Sequence, residues 1–170
     1  MKQLTFLVDF DGTCVTHDFP RVGKNIGAGP VLRALAAAGH RIILWTVRSH
    51  LPSHEWSSSE IKARSGEYLN DAIQWFADNN IPLYKVNEVP DGQGAWSDSP
   101  KPHADYIIDD LMIGDCITFD SNSKRMINWI MIMKYFIYQK HTFFAEPTED
   151  YLDNLKQDVR LDCKKLTNTI

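Results

Sequence analysis

Two aspartates separated by one residue, Asp9 and Asp11, follow an apolar run and lead into Gly12 and Thr13. Carboxylates this close repel each other and call for a shared cation, and their hard oxygens suit Mg²⁺. A second acidic pair, Asp109-Asp110, ends another apolar run. Thr46 ends a third, and Lys101 stands shortly before the run that closes on the acids. Residues of these types, each at the end of an apolar segment, are candidates for one metal-assisted site.

The segments that must position them are legible from periodicity. Leu4-Thr5-Phe6-Leu7-Val8 is an uninterrupted apolar run, which predicts a strand buried on both faces and central in a parallel sheet. In open α/β sheets ligands bind just beyond the carboxyl ends of such strands. Cys14 to Gly29 is a polar, glycine-bearing loop whose alternation at Val15, His17 and Phe19 permits a short hairpin. Its glycines match neither the dinucleotide nor the P-loop pattern. A helix is predicted from Pro30 through Ala38, with Gly39 ending it. Ile42 to Thr46 is a second buried strand, and the βαβ unit so formed should be right-handed.

The loop Val47 to Ser57 precedes a capping box at Ser57 and Glu60, from which an amphipathic helix carrying Ile61, Leu69 and Phe76 runs to about Asn79. Leu83 to Val86 is a short strand, Val89 to Pro102 a turn-rich loop, and Ala104 to Ile108 a fourth strand. Ile117 to Phe119 is a short fifth strand. Helices are then predicted from Ser121 to about Gln139 and from Glu149 to about Leu161. The whole is an α/β fold: a doubly wound, Rossmann-like parallel sheet with helices on both faces. We expect a single domain over residues 1–170, with a core of about 1–120 and a helical C-terminal extension of about 121–170.

Bulk properties narrow the classes. With 44% hydrophobic and 24% charged residues in 170, the chain suits one globular domain. A formal net charge of −4 offers no general attraction for nucleic acid. Three scattered cysteines, Cys14, Cys116 and Cys163, indicate neither a disulfide framework nor a zinc site, and lead us to expect a reducing, cytoplasmic setting. Met126 to Tyr138, the most apolar later window, is too short to cross a bilayer and contains Lys134. Cys14 reads as a small packing residue beside the acids.

Asp9-Phe10-Asp11-Gly12-Thr13, then Thr46, then Lys101, then Asp109-Asp110 resemble the four ordered motifs of the haloacid dehalogenase-like phosphohydrolase superfamily. The resemblance covers residues 4 to about 115. It implies a Mg²⁺-dependent phosphatase that hydrolyses a phosphate monoester through an aspartyl-phosphate. Asp9 would be the nucleophile and Asp11 the acid-base. Thr46 would hydrogen-bond a phosphoryl oxygen, and Lys101, preferred over Lys85, would offset its charge. Gly12 would let the backbone turn sharply so that the amides after it can face phosphate oxygens. Asp9, the backbone carbonyl of Asp11, and Asp109 would hold Mg²⁺, with Asp110 acting through water and Asp115 a rival for that place.

His17, Arg21 and Lys24 lie where related enzymes carry a flap, and Arg48 is close enough to Thr46 to face the leaving group. Neither interval between the motifs has room for a substantial cap domain, so the site should be open, and specificity should lie in the loops around His17, Arg48 and Trp96. By the resemblance, the substrate is a phosphorylated small molecule or a macromolecular end. The nearly all-apolar Met126 to Met133 segment suits core packing or a homodimer. The competing readings are a phospho-accepting receiver-type signalling domain and a catalytically idle binding protein on the same fold. A receiver would carry its acceptor aspartate on a middle strand, where this chain has Thr46.

Overall fold

The computed structural model describes residues 2–51, 66–138, 144 and 148–164. In chain order these form β1 (Thr5–Val8), α1 (Ala28–Ala37), β2 (Arg41–Leu44), β3 (His50–Leu51), β4 (Gly66–Glu67), α2 (Tyr68–Asp78) and β5 (Lys85–Val86). They continue with β6 (Tyr106–Ile108), β7 (Ile117–Phe119), β8 (Arg125–Ile127), α3 (Trp129–Tyr138) and α4 (Glu149–Lys164). The main sheet is parallel, in the order β5-β2-β1-β6, and is flanked by the helices in an α/β, Rossmann-like arrangement.

Register follows from the apolar runs. Phe6 sits opposite Ile42 and Tyr106, and Val8 opposite Leu44 and Ile108, so the two central strands present matched hydrophobic rows. Phe6, Val8, Phe10, Ile42 and Leu44 join one cluster with side chains from all four helices, among them Leu35, Phe76, Phe136 and Val159. Leu7 and Ile43, of opposite parity, are buried as well, as the unbroken hydrophobicity of these strands requires. Phe136 meets Phe6 edge-on at 5.7 Å and Tyr106 at 5.8 Å, which seats α3 on the sheet.

Both central crossover helices end as their sequences demand. After α1, Gly39 takes φ 84°, and the amides of Gly39 and His40 reach back to the carbonyls of Ala36 and Leu35. After α2, Asn80 takes φ 54°, with Asn80 and Ile81 bonding back to Ala77 and Phe76 in the same way. The helix α1 begins at Ala28, two residues before the predicted start, because Pro30 fits anywhere in a first turn that has no use for its missing N–H.

Several expectations are corrected. The loop from Cys14 to Gly29 forms no paired strands. It is closed by the isolated bridge Val15–Asn25 and by the Thr16 amide on the Lys24 carbonyl. Ile117–Phe119 does not extend the main sheet, and residues 125–127 are not helical. The two segments pair as an antiparallel hairpin, and the helix starts only at Trp129. Asp120 explains the difference, since its carboxylate accepts the amides of Asn122 and Lys124 and folds the intervening residues into a tight turn. The Asn128 side chain then accepts the Met131 amide and caps α3. The capping box at Ser57 and Glu60, and Ile61 with it, lies outside the described residues. Among the described residues, no helix is long and apolar enough to cross a membrane.

Candidate active site

The ladder hydrogen bonds run one step past the strand ends and align the acids. The Asp9 amide donates to the Ile108 carbonyl (3.0 Å), and the Trp45 amide to that of Val8 (2.9 Å). The residues after β1, β2 and β6 therefore stand side by side at the carboxyl edge of the sheet. There Asp9, Asp109 and Asp110 bring one carboxylate oxygen each within 4.8 Å of one another. They line a cleft of about 670 Å³ together with Asp11, His17, Thr46 and Arg48.

Thr13 locks this cluster from beneath. Its buried hydroxyl donates to Asp9 Oδ2 (3.1 Å) and accepts the Asp110 amide (3.0 Å). Trp129 Nε1 of α3 in turn donates to the Thr13 carbonyl (2.6 Å), and the Ile127 amide donates to the Gly12 carbonyl (2.8 Å). The C-terminal elements thus buttress the loop that carries the acids. Gly12, at φ 82°, has no room for a side chain, since a Cβ there would collide with His17 Nε2 and sit 2.8 Å from Asp110 Cγ.

The turn after Asp11 departs from the expected phosphate cradle. The Gly12 amide donates to the Val15 carbonyl, and the Thr13 amide to that of Phe10, so neither faces the cleft. Gly12 and Thr13 shape the site, and both amides are engaged by the chain's own carbonyls.

Burial pushes the Asp9 carboxyl from 3.8 up to about 7. Asp109 and Asp110 push the same way, while hydrogen bonds from the Phe10 amide and the Thr13 hydroxyl oppose them. A carboxylate crowded by two others in this way is short of positive charge. Three hard oxygen donors at this separation fit a small divalent cation such as Mg²⁺. The Cys14 thiol is pushed well above its ordinary value, by burial first and by Asp9 and Asp11 next, which fits a packing residue and not a nucleophile.

Asp11 takes another role from its neighbour. Both its carboxylate oxygens are held by the buried Arg48, through Nε at 2.6 Å and Nη2 at 2.7 Å. The same guanidinium donates to the carbonyls of Arg21 (2.8 Å) and Pro20 (3.4 Å), and lies over the rings of Phe10 and Phe19. Arg48 is 2% exposed and therefore ties the loop after the first motif to Asp11; it is no exposed contact for a leaving group. The Asp11 carboxylate stays outside the three-acid cluster. His17 lines the cleft, yet its Nε2 pairs with Asp110 Oδ2 at 3.0 Å and so orients an acid.

The remaining predicted residues divide. The Thr46 hydroxyl accepts the Arg48 amide, and its own amide donates to Asn87 Oδ1 (2.8 Å), leaving the hydroxyl proton for a ligand. Lys101 is exposed and does not line the cleft; Gln93 Nε2 holds only its backbone carbonyl, so no lysine stands beside Asp9 among the described residues. Its rival Lys85 pairs with Glu88 and Asp91. Arg21 pairs with Asp18, and Asp115 and Trp96 lie on exposed loops outside the cleft. Sequence reasoning missed Asn87, held at φ 51° directly after β5, as well as Phe19, Trp45, Val47 and Leu111 on the walls. An asparagine just past a strand end was the available signal for the first.

No protein-family model and no curated protein matches the sequence. A solved structure from Bacteroides thetaiotaomicron, described as a conserved protein coded by locus, is similar at 28% identity and TM-score 0.56, covering 86% of this chain and 100% of that one. That description names no activity, so what the likeness adds is the α/β fold.

Proposed function

We propose that the chain is a Mg²⁺-dependent phosphohydrolase that cleaves a phosphate monoester through a phosphorylated Asp9. The observation carrying this reading is the convergence of Asp9, Asp109 and Asp110 at one sheet edge, with Asp9 pushed up to about 7 by burial and by its two acidic neighbours. Asp9, Asp109 and Asp110 would hold the metal, which supplies positive charge to the phosphoryl oxygens and to the acids.

An Asp9 oxygen forms the bond to phosphorus as the ester P–O bond breaks, and the departing oxygen takes a proton from Asp11, which enters this step protonated and leaves it as the carboxylate paired with Arg48. Water then attacks phosphorus, Asp11 recovers a proton from it, and the Asp9–phosphorus bond breaks to release inorganic phosphate. Arg48 fixes the plane of the Asp11 carboxylate while each oxygen keeps a second lone pair for that exchange. Thr46 offers its hydroxyl proton to a phosphoryl oxygen.

Hydrolysis of p-nitrophenyl phosphate should require Mg²⁺, vanish with EDTA and return on adding the metal back. Asp109→Asn should raise the Mg²⁺ concentration needed for half-maximal rate by about tenfold or more, as loss of one of few carboxylate ligands demands. Turnover that persists in EDTA would contradict the proposal.

A further inference from the structure

The cleft has two kinds of lining. Phe19, Trp45, Val47 and Leu111 share it with the acids, and most of its surface is apolar. Phe19 is 46% exposed, Leu111 72% and Val47 97%, in a position where strand-end loops would ordinarily present polar groups to water. Phe19 is also packed against two neighbours. Its ring meets Tyr68 edge-on at 5.0 Å, and the Arg48 guanidinium lies 5.3 Å from its centroid. A half-exposed aromatic side chain in a cleft whose lining is mostly apolar is the arrangement that receives a flat apolar group.

Charge points the same way. Asp9, Asp11, Asp109 and Asp110 all line the cleft, and Arg48 is the lysine or arginine among its lining residues. Arg48 already spends four of its five N–H donors on Asp11 and on two backbone carbonyls. A metal can offset one phosphate beside the acids. Among the described lining residues a second phosphate or a carboxylate would meet acids and hydrocarbon, and Lys124 beside the cleft spends its ammonium on the His17 carbonyl (3.3 Å).

Resting on the phosphohydrolase reading, we propose that this cleft selects monoesters with one phosphate and a flat, apolar ester group, of aryl or arylmethyl type, and discriminates against polyanions. The phosphate lies at Asp9 and Thr46, and the ring lies against the apolar lining formed by Phe19, Trp45, Val47 and Leu111.

The test compares 2-naphthylmethyl phosphate with glycerol 1-phosphate in the presence of Mg²⁺. Both leave as primary alkoxides, so intrinsic reactivity contributes little to any preference. The naphthylmethyl ester should have kcat/KM higher by about tenfold or more, the scale set by burying one aromatic group. Trp45→Ala should shrink that ratio, and Leu111→Ser, at an exposed wall position, should do so even if the tryptophan variant folds poorly. Independently of turnover, the wild-type protein with Mg²⁺ should bind 2-naphthylmethylphosphonate, whose P–C bond is not hydrolysed, about tenfold or more tighter than methylphosphonate by calorimetry.

Equal kcat/KM values for the two esters, or preference for ADP or a 5′-phosphorylated oligonucleotide, would overturn the proposal while leaving phosphohydrolysis standing. Tight phosphonate binding without hydrolysis of either ester would sink the phosphohydrolase reading and keep the apolar ligand class. Neither hydrolysis nor selective binding would remove both.

Discussion

Asp9→Asn should lose turnover by at least about 10⁴-fold, the scale seen when a nucleophile is removed, and should gain stability in metal-free buffer. The two effects share one cause. The Asp9 carboxyl is desolvated and crowded by Asp109 and Asp110, so its folded value of about 7 stands above its ordinary 3.8. A carboxyl whose value is raised on folding favours the fold in acid, and that contribution fades as pH rises from about 4 toward 7. An asparagine has no such dependence. In EDTA the variant's advantage over the wild type should therefore grow across that window, toward at most roughly 4 kcal/mol, since each pH unit is worth about 1.4 kcal/mol. Mg²⁺ should stabilise the wild type and narrow the gap. Urea unfolding at pH 5 and pH 8, with and without the metal, reads all of these signs. A wild type more stable than Asp9→Asn in EDTA at pH 8 would contradict the electrostatic description of the cluster.

Arg48→Ala should cost about 3–5 kcal/mol, because it strands one member of a buried ion pair. The side chains of Arg48 and Asp11 are 1% and 16% exposed, and removal of the guanidinium also releases the Pro20 and Arg21 carbonyls that it holds. Arg48→Lys should recover little, since an ammonium cannot grip both oxygens of Asp11 and lie flat on Phe10 and Phe19 at once. The double variant Arg48→Met with Asp11→Asn should regain much of the lost stability while remaining inactive. Denaturant midpoints of the two singles and the double measure the coupling. Additive losses would show that the pair does not act as a unit.

How much of this was legible depended on whether the signal was local. The strands carrying Asp9, Thr46 and Asp109 were, because each is an apolar run that ends abruptly on polar groups, and parallel pairing brings such ends to one edge. Asp9, Asp109 and Asp110 meet as that pattern implies. The partner of Asp11 was not legible. Arg48 lies 37 residues away, and nothing in a single sequence distinguishes a solvated arginine from one buried beneath a loop. The Gly12 and Thr13 amides were misjudged for a similar reason. A glycine after two acids signals a sharp turn, but whether its amides face a ligand or the chain's own carbonyls depends on how tightly the turn closes. Residues 125–127 were read as helix because short apolar runs look alike in both states, and the turn at Asp120 decided between them. Lys101 was placed by order along the chain, which does not say where a side chain on a turn-rich loop points.

The central claim is that Asp9 carries the phosphoryl group. Protein mixed with excess p-nitrophenyl phosphate and Mg²⁺, quenched in acid within the first turnovers and reduced with borohydride, would convert an acyl phosphate to homoserine at the residue that held it. Peptide mass spectrometry should find homoserine at position 9, only when ester and Mg²⁺ are both present, and not in Asp9→Asn. Rapid hydrolysis with an unmodified Asp9, or the label at another residue, would contradict the claim. A label at Asp9 that accumulates without released phosphate would make the chain a phospho-accepting switch and not an enzyme.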